Sequence, residues 1–265
     1  MHAEELGAGP PVVLVHGLGA YSISWKETAL ALSSKYSTYA VDLLGFGKSP
    51  APAGFAYTAK AQADAVVDFI KAKKLSNPII VGHSMGGSVC LHLADMAAQG
   101  TGPSLSKMIL IGPVASPPGA SPASALIAEI SAMIDAPGFS AASASALGTL
   151  VAKSVLENAY LSAPPPPQIG IYAAGLSSAG QLRAFVRHSQ SLNGISFSDK
   201  TLRGIMTETL VITGDSDTFV EPARSKKLAE TLGNAAPLET ITGCGHIPQE
   251  EKADKTNEAI EKFLK

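Results

Sequence analysis

The 265-residue chain is short of several things, and each shortage excludes a class. Its 20 lysines and arginines nearly balance 22 aspartates and glutamates, for a net charge of −2. There is no basic excess to neutralise phosphates, so neither nucleic acid nor an anionic membrane surface is expected as a partner. Cys90 and Cys244 are the only cysteines, too few for a disulfide framework and without the paired spacing of a zinc site. No apolar run reaches the roughly 18 residues that span a bilayer. Met1 to Glu5 has neither the basic region nor the apolar core of a secretory leader, so the expected location is cytoplasmic. Neither a metal nor a cofactor is expected. Charged residues make up 16% of the chain, against roughly 25% in average proteins. Hydrophobic residues make up 46%, which excludes disorder and provides for a large core.

What is present is a rhythm. Val12 to Val15, Thr38 to Val41, Ile79 to Val81, Met108 to Ile111 and Leu210 to Thr213 are short runs, apolar on both faces. Parallel strands covered on both sides read this way. Helical spacing lies between them, as at Val66, Phe69 and Ile70, at Leu228 and Leu232 after Pro222, and at Ile260, Phe263 and Leu264. Alternation of the two predicts an α/β fold with a doubly wound, mostly parallel sheet. From Pro117 to Lys200 the rhythm breaks. That stretch has 8 charged residues in 84 and contains the run Pro164 to Pro167. Helices are predicted over Ala123 to Ile134, Ser140 to Tyr160 and Gln181 to Leu192. Leu126, Ile127, Ile130, Met133 and Ile134 keep amphipathic spacing in the first, against a reading as disordered linker.

Gly82-His83-Ser84-Met85-Gly86-Gly87 follows one strand-like run and precedes an apolar helix. A G-x-S-x-G turn in that context holds its serine in a sharp, strained bend at a helix N-terminus, where amides favour developing negative charge. A serine hydroxyl needs a base. His246, in a Gly-rich loop between Leu238–Ile241 and the last helix, is the candidate among six histidines. The base needs a carboxylate to fix its tautomer. Asp215 and Asp217 both leave the strand Leu210 to Thr213 at its C-terminal end, where ligands sit in open α/β sheets. Asp217 is chosen, because Asp215 leaves the strand directly and suits a turn cap. His16-Gly17-Leu18-Gly19 follows Val12 to Val15. It offers the Leu18 amide to pair with that of Met85 as an oxyanion hole, and such a donor is worth about 3 to 4 kcal/mol. His16 is expected to brace this loop. Trp25, Tyr21, Met85, Met133 and His188 are candidate pocket walls, with Trp25, Met133 and His188 as the expected substrate contacts. Arg183 and Arg187 are candidates to hold a substrate carboxylate or to sit on a solvated helix face.

With these motifs in hand, H-G-L-G at 16–19, D-L-L-G-F-G-K-S at 42–49, G-H-S-M-G-G at 82–87, G-D-S-D at 214–217 and G-H-I-P at 245–248, the chain resembles an α/β-hydrolase-fold serine hydrolase of the esterase/lipase type. The likeness implies a core domain over 1–116 and 201–265 and a helical cap over 117–200, inserted between the sixth and seventh strands of that fold. The family usually has two antiparallel strands before the H-G loop. Only about ten residues precede Pro11, so the first is expected to be missing or vestigial. A serine at the elbow argues against the dehalogenase and epoxide hydrolase branches, which use aspartate. The implied activity is hydrolysis of small to medium, neutral, hydrophobic carboxylic esters through an acyl-enzyme, with a small-molecule ester as partner. Carbon–carbon bond hydrolysis, acyl transfer or perhydrolysis on the same triad, and a slow-turnover small-molecule receptor stay open.

Overall fold

Seven apolar strands set the centre of the molecule. The computed structural model describes residues 1–117, 123–134 and 139–265, apart from the side chains of 123–126 and 128. The strands are β1 (His2–Leu6), β2 (Pro11–Val15), β3 (Ser37–Asp42), β4 (Ile79–His83), β5 (Met108–Ile111), β6 (Thr209–Gly214) and β7 (Leu238–Ile241). They form one sheet in the order β1-β3-β2-β4-β5-β6-β7. All neighbours are parallel except β1 against β3. The mostly parallel sheet expected from the sequence is therefore present. β1 is the element that periodicity does not reveal. Its sequence, His-Ala-Glu-Glu-Leu, has no buried face, and it is held at the sheet edge by backbone pairing to β3.

The two faces of the sheet carry separate apolar clusters because alternate side chains point to opposite sides. Val13, Val15, Val41, Ile80, Leu110 and Val211 belong to one. On it lie α2 (Ala59–Ala72), α3 (Met85–Ala98) and α9 (Pro222–Thr231). Val12, Leu14, Ala40, Val81, Ile109 and Ile212 belong to the other, with Trp25 from a single 3-10 turn over Ser22–Trp25. α1 (Lys26–Leu32) and α11 (Ala253–Leu264) cover that face with Leu32 and Ile260. Helices on both faces make the sheet doubly wound.

Between β5 and β6 the chain leaves the sheet for α4 (Ala123–Ile134), α5 (Ala141–Ala159), α6 (Gln168–Ala174), α7 (Ala179–Leu192) and α8 (Asp199–Gly204), and α10 (Pro248–Glu251) is a single turn before α11. One strand precedes β2, so the expected gap between a sixth and a seventh strand is here the gap between β5 and β6. Helices form where the sequence predicts them over 123–134, 140–160 and 181–192. Ile130, Ile134, Leu147, Val151, Leu182 and Phe185 from these helices join the cluster that α2 and α3 cover. The side chain of Leu126 and positions 118–122 and 135–138 of this stretch lie outside the described residues. Among the described residues, no helix is long and apolar enough to cross a membrane.

Candidate active site

The elbow begins where β4 ends. Ser84 caps α3 with φ 53° and ψ −117°, a left-handed conformation that a non-glycine residue holds only at a cost of about 1–3 kcal/mol. It persists because the surroundings leave no alternative. The Ser84 N–H donates to the Ile111 carbonyl at 2.9 Å, and the Ser84 carbonyl accepts from Gly87 and Val114 at 2.9 and 3.1 Å. Gly86 lies against β2, where a Cβ would collide with the backbone carbonyls of Val15 and His16. Ser84 is half-buried, with its hydroxyl at the head of the helix.

Three side chains from separate parts of the chain converge there. His246 Nε2 lies 2.9 Å from Ser84 Oγ, and His246 Nδ1 lies 2.8 Å from Asp217 Oδ2. The other Asp217 oxygen accepts the N–H groups of Phe219 and Val220, each at 2.9 Å. Burial alone would raise the Asp217 carboxyl. The facing His246 ring and the two amides outweigh it, and the group sits below the ordinary carboxylate value. Asp215 does different work: its carboxylate accepts the N–H groups of Gly243 and Cys244 and so braces the loop that carries His246.

The loop after β2 is braced as expected. His16 is buried, bonds the Gly17 carbonyl through Nδ1 at 2.8 Å, and accepts the Leu43 N–H through Nε2 at 3.0 Å. Asp42 accepts the N–H groups of Ser22 and Lys48, tying the far side of the same loop to β3. The N–H groups of Leu18 and Met85 have no protein acceptor among the described residues.

The structure does not bring the three expected substrate contacts to this point. Trp25 is fully buried in the apolar cluster under α1 and α11, whereas Met85 belongs to the cluster on the opposite face. Met133 lies on the outer side of α4 and is 52% exposed. His188 is fully buried, stacked on Phe46 with centroids 5.4 Å apart and bonded to Gln62 Nε2 at 2.9 Å. Burial pushes its pKa down to about 3, so it is a neutral anchor of α7 on α2. Arg187 donates to the Ala53 carbonyl and lies over the Tyr57 ring, and Arg183 donates to the Ile134 carbonyl.

Other residues come to the site that the sequence did not single out. Phe219 stacks on the His246 ring at 5.1 Å. Phe185 and Leu176 stand over Gly19 in the loop after β2. His83 Nε2 donates to the His246 carbonyl at 2.8 Å, and burial with the nearby His246 ring pushes His83 down to about 3, keeping it neutral. His83 was within reach of sequence reasoning as the variable position of the elbow. Phe219, two residues beyond Asp217, carried no chemical signal. Among the described residues, no group of three or more His, Cys, Asp or Glu side chains converges as metal ligands do.

Comparison with known proteins identifies the family and the fold. The sequence profile of the alpha/beta hydrolase family matches residues 12–259. A 2-hydroxymuconate semialdehyde hydrolase from Pseudomonas sp. (strain CF600) is 26% identical, with 98% of this chain aligned to 88% of that protein. A thermophilic esterase from Thermogutta terrifontis superposes with a TM-score of 0.80 at 24% identity, covering 99% of this chain and 92% of the other. An enol-lactonase from Burkholderia xenovorans LB400 gives a TM-score of 0.80 at 21% identity, covering 99% and 95%.

Proposed function

Because the chain belongs to the alpha/beta hydrolase family, we propose that it is a serine hydrolase that cleaves carboxylic esters of small to medium hydrophobic substrates. The observation that carries the proposal is the unbroken relay from Ser84 through His246 to Asp217, with links of 2.9 and 2.8 Å. Ser84 Oγ attacks the acyl carbon as His246 Nε2 takes its proton. Asp217 holds Nδ1–H and stabilises the imidazolium that forms. The carbonyl oxygen becomes an oxyanion and accepts the free N–H groups of Leu18 and Met85. His246 then returns the proton to the leaving alcohol. Water, deprotonated by the same ring, attacks the acyl-enzyme and releases the acid. The helices of 117–200 act as a cap over the core of 1–116 and 201–265, and Phe185, Leu176 and Phe219 give the site an apolar character suited to a small-molecule ester.

Ser84→Ala tests this directly. It is expected to melt like the parent while hydrolysis of p-nitrophenyl butyrate falls by roughly a factor of 10,000 or more. Parental turnover in that variant would overturn the assignment. Carbon–carbon bond hydrolysis is the second reading, favoured by the near full-length likeness to the 2-hydroxymuconate semialdehyde hydrolase. Assaying that semialdehyde beside a series of esters separates the two, and the larger kcat/KM names the substrate class.

A further inference from the structure

The half-buried carboxylate of Glu250 is left unused by the mechanism above. Glu250 stands in α10, four residues beyond His246, and all its partners come from the helices between β5 and β6. Tyr160, at the end of α5, donates its hydroxyl to Oε2 at 3.0 Å. Gln168 Nε2, at the start of α6, donates to the same oxygen, and the Tyr172 hydroxyl donates to Oε1. Next to it, Glu251 Oε1 accepts the N–H groups of Leu161 and Ser162 at 3.0 Å, and its Oε2 accepts that of Gly245 at 2.7 Å. The backbone of the histidine loop touches the same place. His246 N–H donates to the Ala159 carbonyl at 2.6 Å, and a Cβ on Gly245 would strike the backbone of Ala159 and Leu161. Beneath these contacts Ala20, Leu156, Ala159, Tyr160, Tyr172 and Ile247 form one apolar cluster, joining the loop after β2, the histidine loop and the α5–α6 corner.

We propose that Glu250 is a positioning residue, the latch through which the cap sets the place of the His246 ring over Ser84. The inference rests on the serine-hydrolase reading above. A carboxylate accepts from all three donors. A carboxylic acid or an amide turns one donor of its own toward a tyrosine hydroxyl, which can accept as well as donate, so all three contacts are kept. The groups that face Glu250 are Tyr160 from α5 and Gln168 and Tyr172 from α6. Tyr21 lies on the far side of Tyr172, and Glu251 adjoins on α10 itself. No lysine or arginine is among the groups that perturb it. Burial outweighs the three donors and lifts the carboxyl to about 7, so closing the latch takes up a proton and the latch loosens as pH rises through neutrality.

The test is the rate at which a fluorophosphonate probe labels Ser84 in the full chain, measured from pH 5.5 to 8.5 in the parent and in Glu250→Gln. The variant, which keeps a neutral group at this position, is expected to label about tenfold faster than the parent at pH 8.5, and the ratio of the two rates is expected to approach one below pH 6. Hydrogen exchange at the His246 and Ser162 amides is expected to be faster in the parent than in the variant at pH 8.5. Tyr160→Phe removes one hydroxyl contact and is expected to slow labelling and quicken that exchange at every pH, which keeps the proposal testable if Glu250→Gln does not fold. A parent that is not labelled at all overturns the hydrolase reading. A labelled parent with a ratio constant across pH and unchanged exchange overturns the latch.

Discussion

At the scale of single residues, neighbouring carboxylates in the site have different partners. Asp217 and Asp215 stand two positions apart on the same loop, yet one faces an imidazole and the other two backbone amides. Asp217→Asn is expected to leave the melting temperature nearly unchanged and to lower kcat by about 10,000-fold, because an amide favours the wrong tautomer of His246. Asp215→Asn keeps an oxygen for Gly243 and Cys244 and is expected to cost under about tenfold; steady-state kinetics on one ester compares the two. The convergence of Ser84, Asp217 and His246 was legible in the sequence because each follows a strand end and carries a chemical type. The substrate wall was not. Trp25 and His188 are residues a pocket would use, but only packing decides whether an aromatic ring faces a cavity or fills the interior. Here it buries both.

At the scale of elements, the bend between β4 and α3 depends on space as well as on torsion. The helix crosses β2 so closely that Gly86 meets the carbonyls of Val15 and His16. Gly86→Ala is expected to lower stability by about 1–3 kcal/mol through overpacking, with a matching fall in the urea midpoint and a loss of activity as Ser84 shifts. β1 shows the reverse case, an element invisible to periodicity. Charged Glu4 and Glu5 leave no apolar alternation, and its position comes from pairing with β3 and from Lys48 and Lys73, which meet those glutamates at the surface. Edge strands carry little pattern because one side of their backbone has no sheet neighbour to specify.

At the scale of the whole molecule, buried titratable groups set how stability responds to pH. His83 and His188 are pushed down to about 3, and burial also lowers His16, so all three fold as neutral rings. Below about pH 6.5 the unfolded chain binds protons that the folded chain refuses, and stability falls with pH toward 3. Glu250 acts in the opposite direction. Lifted from 4.5 to about 7, it holds a proton in the folded state that the unfolded chain gives up, so its contribution is full below pH 4.5 and is lost as pH rises to 7. Between pH 5 and 6.5 the histidines outnumber it, and the net slope is expected to be about 1–3 kcal/mol per pH unit toward instability in acid, steepest at the lower end. Glu250→Gln is expected to steepen that slope by one proton's worth. Urea unfolding across that range measures both.

The sequence by itself determined the parallel strands, the helices around them, the glycine-flanked turn at Ser84 and the chain order Ser84, Asp217, His246. These depend on local rules: alternation along a strand, helical spacing, and the turn chemistry of glycine-flanked loops. Tertiary structure alone decided that Met133 faces outward, that Phe219 lies on the histidine ring, and that a carboxylate four residues past His246 closes on two tyrosines and a glutamine from α5 and α6. Those partners are 78 to 90 residues away along the chain, a distance over which no local pattern specifies contact.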